Sequence, residues 1–305
     1  MHPAPSLIVF TVLSGLGYGF AFILCIGFLD PKFIATKVAW LVALAMIAGG
    51  LMSSLFHLGN PQRAWRALSQ WRSSWLSREG VMALATFVPL VANASLALFA
   101  DATSALLGFV GASMCLGTVI CTSMIYASLR SVDAWATGLT PTCFSLFALA
   151  GGGLLAMPFA LFGSGRIEGV AMMALTGLVG GALFKLFWTQ RSLIRIAETT
   201  PESATGLGAI GKVRLLERPH AMDNYLTREM VFRIGRKHAI KLRVVAFTLA
   251  AAVPLVSLLL IAFTPQGVWL PLAIIAITAH CVGMLAERWL FFAEARHAVA
   301  NYYGA

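Results

Sequence analysis

Charge is what this sequence has least of. Asp, Glu, Lys and Arg together make up 11% of its 305 residues, against about 25% in soluble globular domains. A water-covered globular surface is therefore excluded, because too few charged side chains exist to form one. Hydrophobic residues reach 59% and the mean hydropathy is +0.84, so the solvent of this chain is a bilayer. The little charge present is one-sided, with 22 Lys and Arg against 12 Asp and Glu, a net +10. Nucleic acid does not explain that excess, since the basic residues lie in loops between apolar runs and form no stripe interleaved with stacking aromatics. Orientation in a membrane does. The five cysteines (Cys25, Cys115, Cys121, Cys143 and Cys281) all sit inside apolar runs, and no CxxC occurs. Iron–sulfur ligation and a disulfide framework are excluded on that spacing, which leaves buried free thiols. The first ten residues contain no Lys or Arg, so the positive n-region of a signal peptide is missing. The first apolar stretch is also too long for a signal core, and it is expected as a retained helix.

What the sequence has instead is long hydrophobic runs. A spanning helix needs about 20 mostly apolar residues, and eight stretches qualify: 5–29, 38–58, 80–100, 105–129, 142–163, 169–188, 244–264 and 267–290. Helices of this length satisfy their own backbone hydrogen bonds in lipid, whereas a β-barrel needs short alternating segments, which are absent. The predicted fold is an all-α integral membrane protein with eight transmembrane helices, a single membrane anchor domain over 1–305. Glycines (Gly15, Gly17, Gly19, Gly49, Gly50, Gly151 to Gly153, Gly180, Gly181) stud the helices and permit close backbone approach. Gly15-Leu-Gly-Tyr-Gly19 is not a nucleotide loop, because no strand precedes it.

With an even number of spans, both termini share a side with loops 2, 4 and 6. Loop 2 carries Arg63, Arg66, Arg72 and Arg78, loop 4 carries Arg130, and loop 6 carries eleven cations from Arg191 to Arg243. Arg288 and Arg296 at the C-terminal end bring that side to eighteen, against Lys32, Lys37 and Arg166 on the other. Lys185, near a helix end, is expected to snorkel to the interface. The count predicts cytoplasmic termini. Two loops stand out there, an amphipathic one over 59–79 and a large basic one over 189–243, the latter expected to turn helical from Asn224 to Arg243.

Loop 2 reads Phe56-His-Leu-Gly-Asn-Pro-Gln-Arg-Ala-Trp-Arg-Ala-Leu-Ser-Gln-Trp-Arg-Ser-Ser-Trp-Leu-Ser-Arg-Glu-Gly80. Gly59-Asn60-Pro61 ends the second helix. Trp65, Trp71 and Trp75 alternate with arginines as in a short interfacial helix, a pattern that a headgroup boundary by itself also explains. His57 and Glu79 bracket the loop, each at the edge of an apolar span. Ionisable groups at that depth face a protein interior or polar cavity. An imidazole and a carboxylate there suit a ligand that exchanges protons together with electrons. They equally suit a structural His–Glu or Arg–Glu pair, and the residues alone do not separate the two.

The segments FHLGNPQRAWRALSQWRSSWLSREG (56–80), MIYASLRSVDAW (124–135) and NYLTREMVFRIGRKHAIKLR (224–243) resemble the dimethyl sulfoxide reductase membrane anchor (DmsC) family, and with the eight-helix plan the resemblance covers essentially the whole chain. It implies a location in the bacterial inner (cytoplasmic) membrane. It also implies a complex of three subunits, in which a molybdopterin catalytic subunit and an iron–sulfur subunit hold the molybdopterin and clusters. The anchor exchanges electrons with membrane quinone, ubiquinone or menaquinone. His57 and Glu79 match the family's quinone-site histidine and glutamate. Tyr126 and Arg130, at the end of helix 4 on the same predicted side, are further candidates for the pocket, although ordinary interfacial anchoring also accounts for both. No metal site is expected, and haem is disfavoured: His280 lies about ten residues, or ~15 Å of rise, from its helix end, whereas His57 lies near one.

Members of that family differ in the side on which their catalytic subunits lie. The charge count favours a cytoplasmic-facing sulfite dehydrogenase passing electrons from sulfite to ubiquinone. An anchor of a dimethyl sulfoxide-type reductase that oxidises quinol is the alternative. A secondary transporter would show repeated halves around a midplane site, and no convincing repeat is present. A purely structural anchor would tolerate loss of both His57 and Glu79.

Overall fold

A computed structural model describes residues 4–56, 58–163, 165–194, 200–214, 216–217 and 238–295. Among them, eight helices are long and apolar enough to cross a membrane. These are α1 (Pro5–Cys25), α2 (Ile34–Leu55), α3 (Trp75–Ala100), α4 (Ala105–Ala127), α5 (Leu139–Phe162), α6 (Ile167–Ile194), α7 (Ala239–Phe263) and α8 (Trp269–Ala293). No strand occurs among the described residues. The all-α, eight-span reading therefore stands, with shifted ends. α3 starts five residues earlier than the apolar run, which brings Glu79 inside its second turn. α6 runs six residues further, to Ile194. Of the stretch expected to be helical from Asn224, residues 224–237 lie outside the described part, and α7 begins at Ala239.

Cross-links between helix termini define two ends of the bundle. At one, Ser53 Oγ of α2 donates to the Ser6 carbonyl of α1 (3.0 Å), and Trp135 Nε1, between α4 and α5, donates to the Phe291 carbonyl of α8 (2.9 Å). Arg243 Nε of α7 meets Glu294 beyond α8 at 2.9 Å. This end carries loops 2, 4 and 6 and is called the basic end below. At the other, Lys37 of α2 pairs with Asp101 after α3 (2.5 Å), and the Arg166 amide donates to the Phe28 carbonyl (2.8 Å).

α1 is the axis of the packing: Tyr18, Phe20, Ile23 and Leu24 are almost fully buried. Lipid is as apolar as leucine, so burial in a membrane bundle comes from close fit. The fit is tightest where α1 crosses α5, since a β-carbon at Gly19 would collide with the Ala148 carbonyl, and one at Gly152 with the Gly19 backbone. Gly152→Leu is expected to prevent the chain from accumulating in the membrane, as read by immunoblot, whereas Gly15→Ala, which meets open space, leaves accumulation unchanged.

α7 departs from regular geometry. Thr248–Ala252 forms a π-helical turn between α-helical segments Ala239–Phe247 and Val253–Phe263. Such wide turns take carbonyls out of the regular ladder, and here the Ala250 carbonyl lies 2.6 Å from His280 Nδ1 on α8. A carbonyl only accepts, so Nδ1 carries the proton. Gly283 lets α8 approach at this level, because a β-carbon there would strike the Ala250 backbone. The five cysteines are free, three of them buried.

Candidate functional site

Loop 2 after Asn60 is a 3-10 helix over Pro61–Gln70, with Trp65 and Trp71 exposed. Arginines sit over three of its tryptophan rings, Arg66 on Trp65, Arg72 on Trp71 and, closest, Arg78 on Trp75 at 4.3 Å. The first turn of α3 ties this segment down. Ser77 Oγ donates to the Ala67 carbonyl, while Arg78 donates from Nε to the Trp71 carbonyl (3.0 Å) and from Nη2 to that of Arg72 (2.7 Å). With Ser77 and Arg78 directed to the loop, Glu79 turns inward.

Glu79, in the second turn of the membrane-spanning helix α3, is 6% exposed. Its Oε1 accepts from Thr122 Oγ1 of α4 at 2.5 Å. The same hydroxyl lies 3.1 Å from the Thr118 carbonyl, so its one proton has two competing acceptors. A helical turn deeper, Thr118 and Thr86 join their hydroxyls at 3.0 Å across α4 and α3. Behind Thr122 runs a narrow cleft between α1, α4, α5 and α8, lined by Ser14, Tyr18, Thr122, Phe147, Met284 and Arg288. Its cavity volume is about 20 Å³, room for about one water. Two buried donors on its wall, the Tyr18 hydroxyl and Arg288 Nε, have no hydrogen-bond partner among the described residues.

Of the residues singled out in the sequence, Glu79 and Tyr126 are both buried. Tyr126 is packed by Trp135, Phe144, Phe291 and Phe292, with ring centroids 5.3–6.0 Å away. Arg130 is exposed beyond the end of α4, and none of Arg130, Glu79 and Tyr126 lines the cleft, which reaches Glu79 only through Thr122. His57 lies outside the described residues, as do His220, Arg296 and His297. No group of three or more His, Cys, Asp or Glu side chains suited to a metal ion is formed among the described residues.

The sequence reading missed an ionic group on α8. Glu287 and Arg288 are 5% and 3% exposed. Lys185 does not snorkel: its ammonium lies 2.5 Å from Glu287 Oε1 and 3.7 Å from the centre of the Trp188 ring. Arg288 contacts Glu287 Oε2 at 3.3 Å and stacks at 3.6 Å on Phe144. The signal was present as two adjacent charges inside the last apolar run. They look like a helix end until α8 is seen to continue to Ala293.

The chain that folds into these eight spans has relatives among known proteins. Residues 1–293 match the family described as DMSO reductase anchor subunit (DmsC). The chain belongs to that family. It is also 33% identical, over 328 aligned residues covering 99% of both chains, to a sulfite dehydrogenase subunit of Allochromatium vinosum. The family match spans all eight helices, Glu79, and the Lys185–Glu287–Arg288 group. It accounts for a fold built as a membrane anchor, and it sets aside the transporter reading.

Proposed function

We propose that this chain is the quinone-reactive anchor of a molybdopterin oxidoreductase complex in the bacterial inner membrane, linking an iron–sulfur subunit to membrane quinone at Glu79. The observation that carries this reading is the Glu79 carboxyl itself, buried at membrane depth, bonded to Thr122 and backed by a cleft with unpartnered donors. Intramembrane ionisable groups are rare and mark function. Quinone, when bound, supplies the two-electron, two-proton chemistry. Glu79 would hold one ring oxygen and carry its proton, with Thr122 orienting the carboxyl, and His57 would serve the same ligand from the other flank of loop 2. Tyr126 would stiffen the wall beside Glu79. Arg130, exposed, fits the docking face for the partner subunits together with loops 2 and 6.

Haem is left out of this reading. His280 has Nδ1 engaged by the Ala250 carbonyl, and its place well inside the last span, far in depth from His57 at the edge of the second apolar run, does not suit a pair of haem ligands.

Sulfite is the electron donor that fits best, by the name of the full-length relative and by the eighteen basic residues, which favour a cytoplasmic Glu79 end. The test compares the purified complex of all three subunits with its Glu79→Gln variant, using sulfite as donor and either a short-chain ubiquinone or ferricyanide as acceptor. Loss of quinone reduction with ferricyanide reduction retained supports the reading, and normal quinone reduction overturns it.

A second reading, the anchor of an exported dimethyl sulfoxide-type reductase, is favoured by the family description. Sidedness decides between them. A reporter fused after Ala305 that works in one compartment only is expected to give a cytoplasmic signal, and a periplasmic signal would make the exported reductase the better reading.

A further inference from the structure

A far roomier space than the cleft behind Thr122 lies elsewhere in the protein. It is a groove between α6, α7 and α8 at the basic end, with a cavity volume of about 400 Å³ inside an open trough of about 1100 Å³. That size is typical of a site for a ligand with a ring system. One wall is α6, with Lys185, Leu186 and Trp188, another is α7 around its π-helical turn, and the floor is α8. Leu186 and Val244 on its rim are 52% and 60% exposed, which in a bilayer means open to lipid. A neutral lipid can therefore enter sideways.

The floor is polar at one place. Glu287 Oε2 is buried, and although Arg288 lies at 3.3 Å, no donor among the described residues is aligned for a hydrogen bond to it. Beside it stands the Lys185 ammonium, with three donors of which Glu287 takes one, and the Trp188 ring lies under that ammonium. Glu287 is six residues from the end of α8, about 9 Å of helix rise, so this polar spot sits beneath the headgroup layer. A head that both donates and accepts matches it. A phosphate head finds no net positive charge there, because Lys185 and Arg243 on the groove wall are already paired with Glu287 and Glu294.

We propose that this groove is a second quinone-type site, in which the hydroxyl or carbonyl oxygens of a neutral aromatic diol or dione meet Glu287 and Lys185 while its polyprenyl tail lies along the lipid-facing walls of α6 and α7. The inference rests on quinone being this anchor's partner. It adds a lipid-side station, separated from the narrow cleft behind Thr122 by Phe147, which lines both spaces, and by the Glu287–Arg288 pair, which faces one space with each residue.

The test is photolabelling of the whole complex in lipid nanodiscs with an azido-quinone carrying a polyprenyl tail, followed by peptide mapping. Label is expected on peptides of α6 or α7 as well as on those flanking Glu79. Val244→Trp, which fills the mouth from a lipid-facing position, is expected to lower α6/α7 labelling at least fivefold and leave labelling near Glu79 within twofold. Leu186→Trp, on the opposite wall, serves as an independent second variant. Label near Glu79 alone overturns the groove and leaves the quinone reading standing. Groove labelling by a photoreactive phosphatidylglycerol that excess quinone does not displace makes it a phospholipid site and also overturns the proposal. Label in neither region removes both readings.

Discussion

Glu79→Gln is expected to leave about 1% or less of quinone-linked turnover in a complex that still assembles and still reduces ferricyanide. A positioned acid or base contributes about 10²- to 10⁴-fold to a step that moves protons, and an amide can occupy the site but cannot exchange one. The substitution isolates this effect because it disturbs little else. The glutamine oxygen can still accept from the Thr122 hydroxyl, which now stands 2.5 Å from Oε1. The change also removes a group that is costly to ionise at membrane depth, so stability should hold or rise. The measurement is the ratio of ubiquinone to ferricyanide rates in the same preparation, with subunit stoichiometry checked on a gel. A fall in both rates together would indicate a damaged complex. An unchanged ratio would place the proton-exchanging group elsewhere.

The second large effect concerns stability. Glu287→Leu should lower the thermal denaturation midpoint of the detergent-solubilised complex strongly, whereas Lys185→Met should lower it much less. Glu287 touches two cations at once, Lys185 at 2.5 Å and Arg288 at 3.3 Å, with all three side chains at most 16% exposed. Removing one member of a buried ion pair strands the other, at about 3–5 kcal/mol. Losing Glu287 strands two cations, while losing Lys185 leaves Glu287 still facing Arg288. The pair of variants thus separates electrostatic stranding from simple loss of packing, because a cavity effect alone would make the two comparable. Lys185→Met with Glu287→Leu should recover part of the loss by removing one of the stranded cations. Equal midpoints for the two single variants would show that the triad does not act as a unit.

Most of the fold was legible because a bilayer imposes one dominant rule. A chain with 11% charge and eight apolar runs has to bury its backbone polar groups in helices, and length alone then locates the spans. Their ends were less legible. Trp75–Gly80 reads as loop by composition, yet it is the first turn and a half of α3, because Ser77 and Arg78 spend their polar groups on the 3-10 segment beside them. Glu79 could be picked out as an ionisable group next to an apolar span. Its partner could not, since Thr122 lies 43 positions away and nothing local marks it among the threonines of α4.

The sequence by itself determined the solvent of this protein, the number of its spans, the basic side and the family to which its loop motifs point, because all of these follow from composition, run length and contiguous motifs. Only the tertiary structure decided which polar groups meet. It turned Lys185 from a snorkelling cation into the partner of Glu287, left Arg130 at the surface, and placed Thr122 against Glu79. It also opened a groove where α7 widens into a π-helical turn. The reason is physical. Helix rotation in a bundle is set by close fit between surfaces, at positions such as Gly19 against Ala148 and Gly283 against Ala250. That fit depends on residues far apart in the chain and leaves no local trace.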